Sequence, residues 1–139
     1  GTARMGDIKS PILRGGARAF GPHPRSYHFK LNKKVRSLAR LSALTYKAQN
    51  NEIMVLENFN FETPKTKQYI DLLKSFNLTD KKTLLVLPSV MENIYLSARN
   101  LHKAKVVTAK DINTFDLLNA NQLIFAEGSF AELENLFNK

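Results

Sequence analysis

The sequence predicts an α/β domain, built from a parallel sheet with helices on both faces and joined to a long, extended basic arm. From residue 53 onward, short apolar stretches alternate with longer segments of helical periodicity, a pattern typical of a parallel sheet. Hydrophobic residues make up 43% of the 139-residue chain, enough for one packed core. Residues 1–29 lack such periodicity, so we predict an arm over 1–29 and a globular domain over 30–139.

The charge of the chain is distributed as unevenly as its hydrophobicity. Residues 1–40 contain ten lysines and arginines and a single acid, Asp7. The remaining 99 residues contain eleven bases and eleven acids, so the whole net charge of +9 belongs to the first 40 residues. A basic segment attached to a neutral domain indicates a protein that binds nucleic acid or an acidic membrane surface.

The domain is predicted to begin with a helix over residues 31–50, with Asn32 as its N-cap. Helical spacing gives this segment two faces, of which we expect the apolar one to lie in the core and the basic one to point outward. The apolar face consists of Leu31, Val35, Leu38, Ser42 and Tyr46, with Ala39 and Ala43 beside them, and the basic face consists of Lys33, Arg36, Arg40 and Lys47.

Four strands and four further helices are predicted after this helix. The strands are residues 53–56, 83–87, 105–108 and 122–126. The helices are predicted to start at Thr63 with Pro64 in the first turn, at a capping box of Ser89 and Glu92, at Asn113, and at a second capping box of Ser129 and Glu132. The order β-α-β-α-β-α-β-α indicates three layers, similar to a Rossmann-like fold. The apolar residues expected in these helices are Tyr69, Ile70, Leu73, Phe76, Ile94, Leu96, Ala98, Phe115, Leu117, Leu118, Phe130, Leu133, Leu136 and Phe137.

The composition excludes several classes of protein. The chain has no cysteine, so neither disulfides nor thiolate metal sites are expected. Its longest apolar run, Leu84–Leu87, is far too short to cross a bilayer. The arginine-rich start resembles a mitochondrial transit peptide, but its glycines and prolines disfavour the amphipathic helix that such a peptide needs.

We predict no catalytic residue, metal site or cofactor. The turns that follow the first three strands, 57–60, 88–90 and 109–111, are not glycine-rich, and the one glycine-rich segment, 14–18, precedes every predicted strand. Phosphate-binding loops need glycine at a strand-to-helix turn. The three histidines lack the spacing of a zinc site. The acids Glu57, Asp71, Asp80 and Asp111 are scattered, so we interpret them as solvated surface carboxylates.

The arm is the part of the chain whose composition indicates a function. Its bases recur every four to seven residues at Arg4, Lys9, Arg14, Arg18 and Arg25, a spacing suited to contacting successive phosphates of an RNA. Its glycines allow close approach of the backbone to RNA. The aromatic side chains Phe20, Tyr27 and His28 are candidates for stacking on unpaired bases. The alternative is a merely solvated, disordered basic tail.

Several motifs in order along the chain resemble the L-four family of large-subunit ribosomal proteins, in its bacterial form. They include the segments GTARMGDIKSP at 1–11, RGG at 14–16, FGP at 20–22, PRSY at 24–27 and LNKKVR at 31–36. Further similar segments are PKTK at 64–67, ENIYLSARNL at 92–101 and NTFDLL at 113–118. The resemblance therefore covers essentially the whole chain.

The resemblance implies a structural protein of the cytoplasmic ribosome, with no cofactor. It implies an α/β domain on the outer surface of the large subunit and a loop that reaches through ribosomal RNA to the nascent-peptide exit tunnel. Expected partners are large-subunit ribosomal RNA, neighbouring proteins such as the L-twenty-two family, and the nascent peptide. The tunnel-proximal residues would be Gly1, Thr2, Ala3 and Arg4. The predicted RNA-binding residues are Arg4, Lys9, Arg14, Arg18, Phe20, Arg25, Tyr27, His28, Lys30, Asn32, Lys33, Lys34, Arg36 and Arg40.

The chain departs from the family pattern in two ways. The family has an N-terminal portion, with the first strand of the domain and the outgoing half of the loop, which we expect to be lacking here. Ala17 stands where a third glycine is common in the family, so we expect a different local backbone there. Two other functions stay open: an RNA-binding regulator of its own messenger that acts away from the ribosome, and a nucleotide-dependent enzyme with a basic substrate-binding arm.

Overall fold

The computed structural model of the 139-residue chain describes residues 4–17 and 21–137. The chain divides between Lys30 and Leu31 into two compact units. Within the described residues, the first unit contains turns and irregular backbone, and the second contains every helix and strand. None of the helices in the described part of the chain is both long and apolar enough to span a membrane.

Four strands form one parallel sheet in the second unit. They are β1 (Ile53–Leu56), β2 (Thr83–Leu87), β3 (Ala104–Thr108) and β4 (Gln122–Ala126). Their order across the sheet is β1-β4-β2-β3, and each pairing is parallel. The last strand therefore lies between the first two, with Leu123 of β4 opposite Ile53 of β1 and Leu84 of β2. The predicted parallel sheet is confirmed, and β3 begins one residue earlier than we predicted.

Five helices accompany the sheet. They are α1 (Lys33–Gln49), α2 (Thr66–Ser75), α3 (Glu92–Arg99), α4 (Thr114–Asn119) and α5 (Ser129–Phe137), with a single 3-10 turn over Ala109–Asp111 between β3 and α4. The alternation of strands and helices predicted from residue 53 onward is confirmed. Asn113 also caps α4 as predicted, because its side-chain oxygen accepts a hydrogen bond from the backbone N–H of Asp116.

The helices cover both faces of the sheet, and the side chains of β2 alternate between the two. Leu84 and Val86 pack on the face that carries α1, α4 and α5, whereas Leu85 and Leu87 pack on the face that carries α2 and α3. All five residues of β2 are buried, which explains why an unbroken apolar run marks this strand. The predicted three-layer arrangement is thus confirmed.

Tyr69 of α2 is completely buried in the core beside α3. Its hydroxyl group has no hydrogen-bond partner among the described residues. Burial raises the pKa of Tyr69 well above its ordinary value, because the ionised phenolate would lose its hydration. This side chain therefore contributes apolar packing to the core without a compensating polar contact.

The predicted orientation of α1 is wrong. Leu31, Val35, Leu38 and Tyr46, which we expected in the core, are each more than half exposed, and Ala43 is the buried residue of this helix. Lys47, which we expected on the outer face, has a side chain only 12% exposed. Its amino group lies 2.6 Å from a carboxylate oxygen of Glu52 and 2.7 Å from the carbonyl oxygen of Ala120. The helix is oriented so that Lys47 reaches these polar partners, and the spacing of apolar residues in the sequence cannot predict such an orientation.

The predicted start of α2 is also wrong, because the helix begins at Thr66 rather than at Thr63 and Pro64. The preceding loop is held in a non-helical conformation by the side-chain amide of Asn93, which donates hydrogen bonds to the carbonyl oxygens of Phe61 and Glu62 at 2.7 and 3.3 Å. These bonds cross from α3 to the loop, so they depend on tertiary contacts.

Neither predicted capping box forms. The helix α3 begins at Glu92, and its N-cap residue Met91 makes no side-chain cap. Ser129 is already the first residue of α5, and its hydroxyl donates to the carbonyl oxygen of Ala126 at 2.6 Å. In both places the Ser-x-x-Glu spacing occurs without the reciprocal hydrogen bonds that define the motif.

The first unit is not extended over its described N-terminal part. Successive turns over residues 7–17 are joined by backbone hydrogen bonds from Ser10 to Asp7, from Leu13 to Ser10 and from Gly16 to Leu13. The N–H of Ala17 then donates to the carbonyl oxygen of Lys9 at 2.7 Å and closes the segment. Local backbone bonds therefore fold residues 7–17 of the predicted arm back on themselves.

Candidate nucleic-acid interface

The first turns of α1 carry several basic side chains close to the helix N-terminus, whose partial positive charge repels them. Lys33, Lys34 and Arg36 are exposed, and the first turn contains no acidic residue. The N-terminus of a helix carries a partial positive charge and free backbone N–H groups, so basic side chains there are locally unfavourable. The same arrangement is favourable once a phosphate group is present, because N–H groups and cationic side chains then act together.

The N-cap of α1 is compatible with such an anion site. Asn32 has an extended backbone, but its side chain makes no capping hydrogen bond. Among the described residues, Lys33, Lys34 and Arg36 form no ion pair that would neutralise them. The N-terminal turn thus presents uncompensated donors.

Arg40 differs from the other predicted RNA-binding residues of this helix. It is half-buried, and its guanidinium carbon lies 5.8 Å from the centre of the Phe137 ring, within the range of a cation–π contact. The two residues border a groove of about 710 Å³ that Lys33, Arg36, Leu38 and Leu136 also line. The groove is therefore lined by both exposed basic side chains and apolar side chains.

Glycine geometry shapes the turns that carry Lys9 and Arg14. A Cβ atom on Gly16 would collide with the carbonyl oxygen of Ser10, so this turn accepts only glycine. Ala17 has φ of +58°, a left-handed conformation that favours glycine. Ala17 thus adopts a backbone conformation that glycine prefers, and Lys9 and Arg14 remain exposed on the surface of the turns.

A second ordered contact of the first unit is a stack of two predicted RNA-binding side chains. The guanidinium carbon of Arg25 lies 4.3 Å from the centre of the Tyr27 ring, and the backbone N–H of His28 donates to the Ser26 hydroxyl at 3.3 Å. Tyr27 is 67% exposed. The pair presents a flat, cationic surface on which an unpaired base can stack.

The structure brings together only some of the predicted site residues. Arg25 and Tyr27 are in contact in the first unit, and Lys33, Lys34, Arg36 and Arg40 line one groove in the second. Arg4, Lys9, Arg14, His28 and Lys30 are individually exposed, as is Asn32. The remaining predicted residues, Gly1, Thr2, Ala3, Arg18 and Phe20, lie outside the described residues.

Sequence reasoning missed one glycine at a strand-to-helix turn, Gly128 after β4. Its N–H donates to the side-chain oxygen of Asn58 at 3.1 Å, and a Cβ atom on Gly128 would lie 3.2 Å from that side chain. In a phosphate-binding loop such an N–H would point at the ligand. Here the N–H of Gly128 instead bonds Asn58, which joins the loop after β4 to the loop after β1. This glycine therefore serves the packing of two loops at the carboxyl edge of the sheet. The turn signal was present in the sequence, but its partner Asn58 lies 70 residues away.

Metal ligands do not converge in the described part of the chain. No group of three or more histidine, aspartate or glutamate side chains is placed there to hold a metal ion. The side chains that converge at the candidate site, such as Arg25 with Tyr27 and Lys33 with Arg36, are cationic or aromatic, which suits a polyanion with stacked bases.

Comparison with known proteins gives a consistent result. Residues 1–136 match the family model described as the ribosomal protein L4/L1 family. A protein of Phocaeicola vulgatus named large ribosomal subunit protein uL4 is 54% identical over 138 residues, which are 99% of this chain and 66% of the relative. The proteins of that name from Parabacteroides distasonis and Cytophaga hutchinsonii are 57% and 51% identical, over 99% of this chain and 66% of each relative. The chain thus spans 66% of the length of these relatives.

Proposed function

The chain belongs to the ribosomal protein L4/L1 family, and we propose that it is a structural constituent of the large ribosomal subunit in the bacterial cytoplasm that binds large-subunit ribosomal RNA. Relatives that are 54% and 57% identical carry the name large ribosomal subunit protein uL4. The proposal transfers the ribosomal role of these longer proteins to this chain. It assigns a structural role in translation and no catalytic one.

The observation that carries the proposal is the unneutralised positive charge at the start of α1. Lys33, Lys34 and Arg36 surround a helix N-terminus that has neither an acid nor a side-chain cap. Such a surface gains binding energy from a phosphate group and loses stability without one. A local cost of this kind is typical of functional sites.

The first unit extends this interface along the chain. Lys9 and Arg14 are displayed on glycine-dependent turns, and the stack of Arg25 on Tyr27 adds a planar surface. We propose that these side chains neutralise phosphates and stack on bases of the folded RNA, so that the segment supports subunit assembly. Arg18, Phe20, His28, Lys30, Asn32 and Arg40 belong to the same proposed RNA-binding set.

The finer assignment concerns the exit tunnel. We propose that Gly1, Thr2, Ala3 and Arg4 lie near the tunnel wall, beside the L-twenty-two family protein and the nascent peptide. The support for this placement is the family membership together with the small size of the first three side chains.

Association with ribosomes in bacterial cells tests the main proposal. A tagged chain that carries Arg4→Gln, Arg14→Gln and Arg25→Gln is compared with the wild-type chain after sucrose-gradient fractionation of a lysate. The matched control, Lys65→Gln, Lys67→Gln and Lys74→Gln, removes the same charge from exposed positions of the second unit.

We expect the wild-type and control chains in the large-subunit fractions and most of the arginine variant in the ribosome-free fractions. Each lost phosphate contact should also lower the dependence of log affinity for ribosomal RNA on log salt concentration by about one unit. Incorporation of the arginine variant at the wild-type level would falsify the proposed role of the arm. A wild-type chain found mainly outside ribosomes, bound to its own messenger, would favour the regulatory alternative.

A further inference from the structure

Residues 41–139 carry no net charge, but their charges are separated along the direction of the strands. Of the eleven bases in residues 41–139, five lie around the amino ends of β2 and β3. These are Lys81, Lys82, Arg99, Lys103 and Lys105, and His102 lies among them. We call these six residues the amino-edge patch. The opposite, carboxyl ends of the strands are followed by Glu57, Glu92, Asp111 and Glu127.

The topology of the sheet produces this separation. Lys82 and Lys103 directly precede β2 and β3, which pair in register from Thr83 and Ala104 onward. Arg99 is the last residue of α3, which returns the chain to the start of β3. Arg99 and Lys103, which lie 17 and 21 positions after Lys82 in sequence, therefore share one edge of the sheet with it.

The two acids that pair with members of the patch leave it positive. The carboxylate of Asp116 is buried, and its two oxygens accept hydrogen bonds from Lys105 at 2.7 Å and from Asn113 at 2.8 Å. Asp80 is fully exposed and lies 3.8 Å from Lys103, so solvent screens that pair strongly. Five formal positive charges thus face two negative ones.

Part of the patch lines a concave surface. Lys82, His102, Lys103 and Lys105 border a cavity of about 280 Å³ together with Asp116 and Asn119. The amino group of Lys82 is held by the side-chain oxygen of Asn119 at 3.1 Å. An ammonium group has three N–H donors, so Lys82 and Lys105 each retain donors beyond these positioning contacts.

We infer that the amino-edge patch is a second phosphate-binding surface, through which the domain contacts RNA independently of the arm and of α1. The choice of RNA as the source of the phosphate rests on the proposed function, whereas the anion site itself does not. Lysine acts as a phosphate-binding point charge. Protein interfaces have cores rich in aromatic anchors and poor in lysine, and among the described residues that line this cavity none is a large exposed hydrophobic side chain.

Two measurements on the full chain test this inference. In the first, inorganic phosphate is titrated against the isotope-labelled protein, with sodium chloride at equal ionic strength as the reference, and backbone NMR shifts are followed. In the second, affinity for purified large-subunit ribosomal RNA is measured over a series of salt concentrations. Both use the variant Lys82→Ala with Lys103→Ala, and both retain Lys105 because it pairs with the buried Asp116.

The matched control is Lys65→Ala with Lys67→Ala, which removes two exposed lysines from the region where α2 begins. Thermal melts establish that both variants are folded. We expect phosphate to shift the signals of residues 82–84 and 102–105 in the wild-type and control chains but not in the patch variant. We expect the slope of log affinity against log salt to fall by about two units in the patch variant, about one for each lost phosphate contact, and to stay unchanged in the control.

Each other outcome contradicts the inference at a defined point. If phosphate shifts no signal at this edge, the patch is no anion site, whatever the arm does. If phosphate shifts these signals but the patch variant keeps the wild-type salt slope, the patch binds free anions and not RNA. If poly-glutamate shifts the same signals and RNA does not, the partner is an acidic protein. Failure of the proposed function alone would instead abolish RNA binding in all variants while the phosphate shifts persist.

Discussion

The two units of this chain stabilise themselves in different ways. In the second unit, Leu84–Leu87 are at most 2% exposed and lie between two helical layers. In the first unit, Ile8 and Ile12 are 75% and 92% exposed, and the backbone bonds of residues 7–17 join positions at most eight residues apart. The second unit is thus organised by burial of its own surface, whereas the turns over residues 7–17 are joined by local backbone bonds. The conformation of the first unit should therefore respond to what it binds.

The largest effect that separates the two units is expected from removal of an apolar side chain. Leu85→Ala empties a completely buried position of the central strand β2 and should lower the free energy of unfolding by about 2–5 kcal/mol. The matched change Ile12→Ala removes a similar side chain from a position that is 92% exposed and should cost less than about 0.5 kcal/mol. Urea unfolding followed by circular dichroism measures both. Equal losses would show that the first unit shares the core of the second.

A smaller effect is expected at Tyr69, whose buried hydroxyl has no partner among the described residues. Tyr69→Phe keeps the ring and removes the desolvated oxygen, so it should be neutral or stabilise the chain by up to about 1 kcal/mol. Burial raises the pKa of Tyr69, so the contribution of the neutral form is complete below the ordinary tyrosine pKa of about 10 and is lost as pH rises above it. Thermal melts of both proteins between pH 7 and pH 11 measure this. Above about pH 10 the melting temperature of the wild-type chain should fall more than that of Tyr69→Phe, because only the wild type has this buried phenol. A destabilised variant would indicate a hydrogen bond to this hydroxyl.

The smallest effect on global stability is expected from backbone changes in the first unit. Gly16→Ala places a Cβ atom against the carbonyl oxygen of Ser10 and should open the turns, while Ala17→Gly relieves a positive φ and should favour them by about 1 kcal/mol. Neither should change the unfolding midpoint of the second unit. Amide NMR shifts of Ser10, Leu13 and Gly16 measure the turn, and unchanged shifts in Gly16→Ala would contradict the hydrogen bonding described here.

Most of the fold could be predicted because the second unit follows local rules. The unbroken apolar run of β2 and the cap at Asn113 each correspond to one structural feature that a short segment determines. The orientation of α1 could not be predicted in this way. It depends on Lys47 reaching Glu52 and on the carbonyl oxygen of Ala120, which is 73 residues away. Likewise, Asn93 holds the loop before α2 from a distance of about thirty residues.

The candidate site could be predicted only as a set of residue types. The exposed positions of Lys33, Lys34 and Arg36 follow from their place in the first turn of α1, where every residue is exposed. The turns that display Lys9 and Arg14 do not follow from spacing, because they depend on the backbone of Gly16 and Ala17. The amino-edge patch was missed altogether, since its bases are dispersed between residues 81 and 105 and are counted together only once the order of the strands is known.

The central place of β4 has a consequence for the order in which the chain is made. Because β1 pairs only with β4 within the described residues, residues 53–56 have no neighbouring strand until residues 122–126 have been synthesised. In nascent chains that end before this point, β1 is unpaired and β2 pairs only with β3 among the described strands. Apolar side chains of β1 and β2 that β4 would cover then face water. Folding of the domain is therefore coupled to synthesis of β4, and release before that point would expose the chain to aggregation and proteolysis.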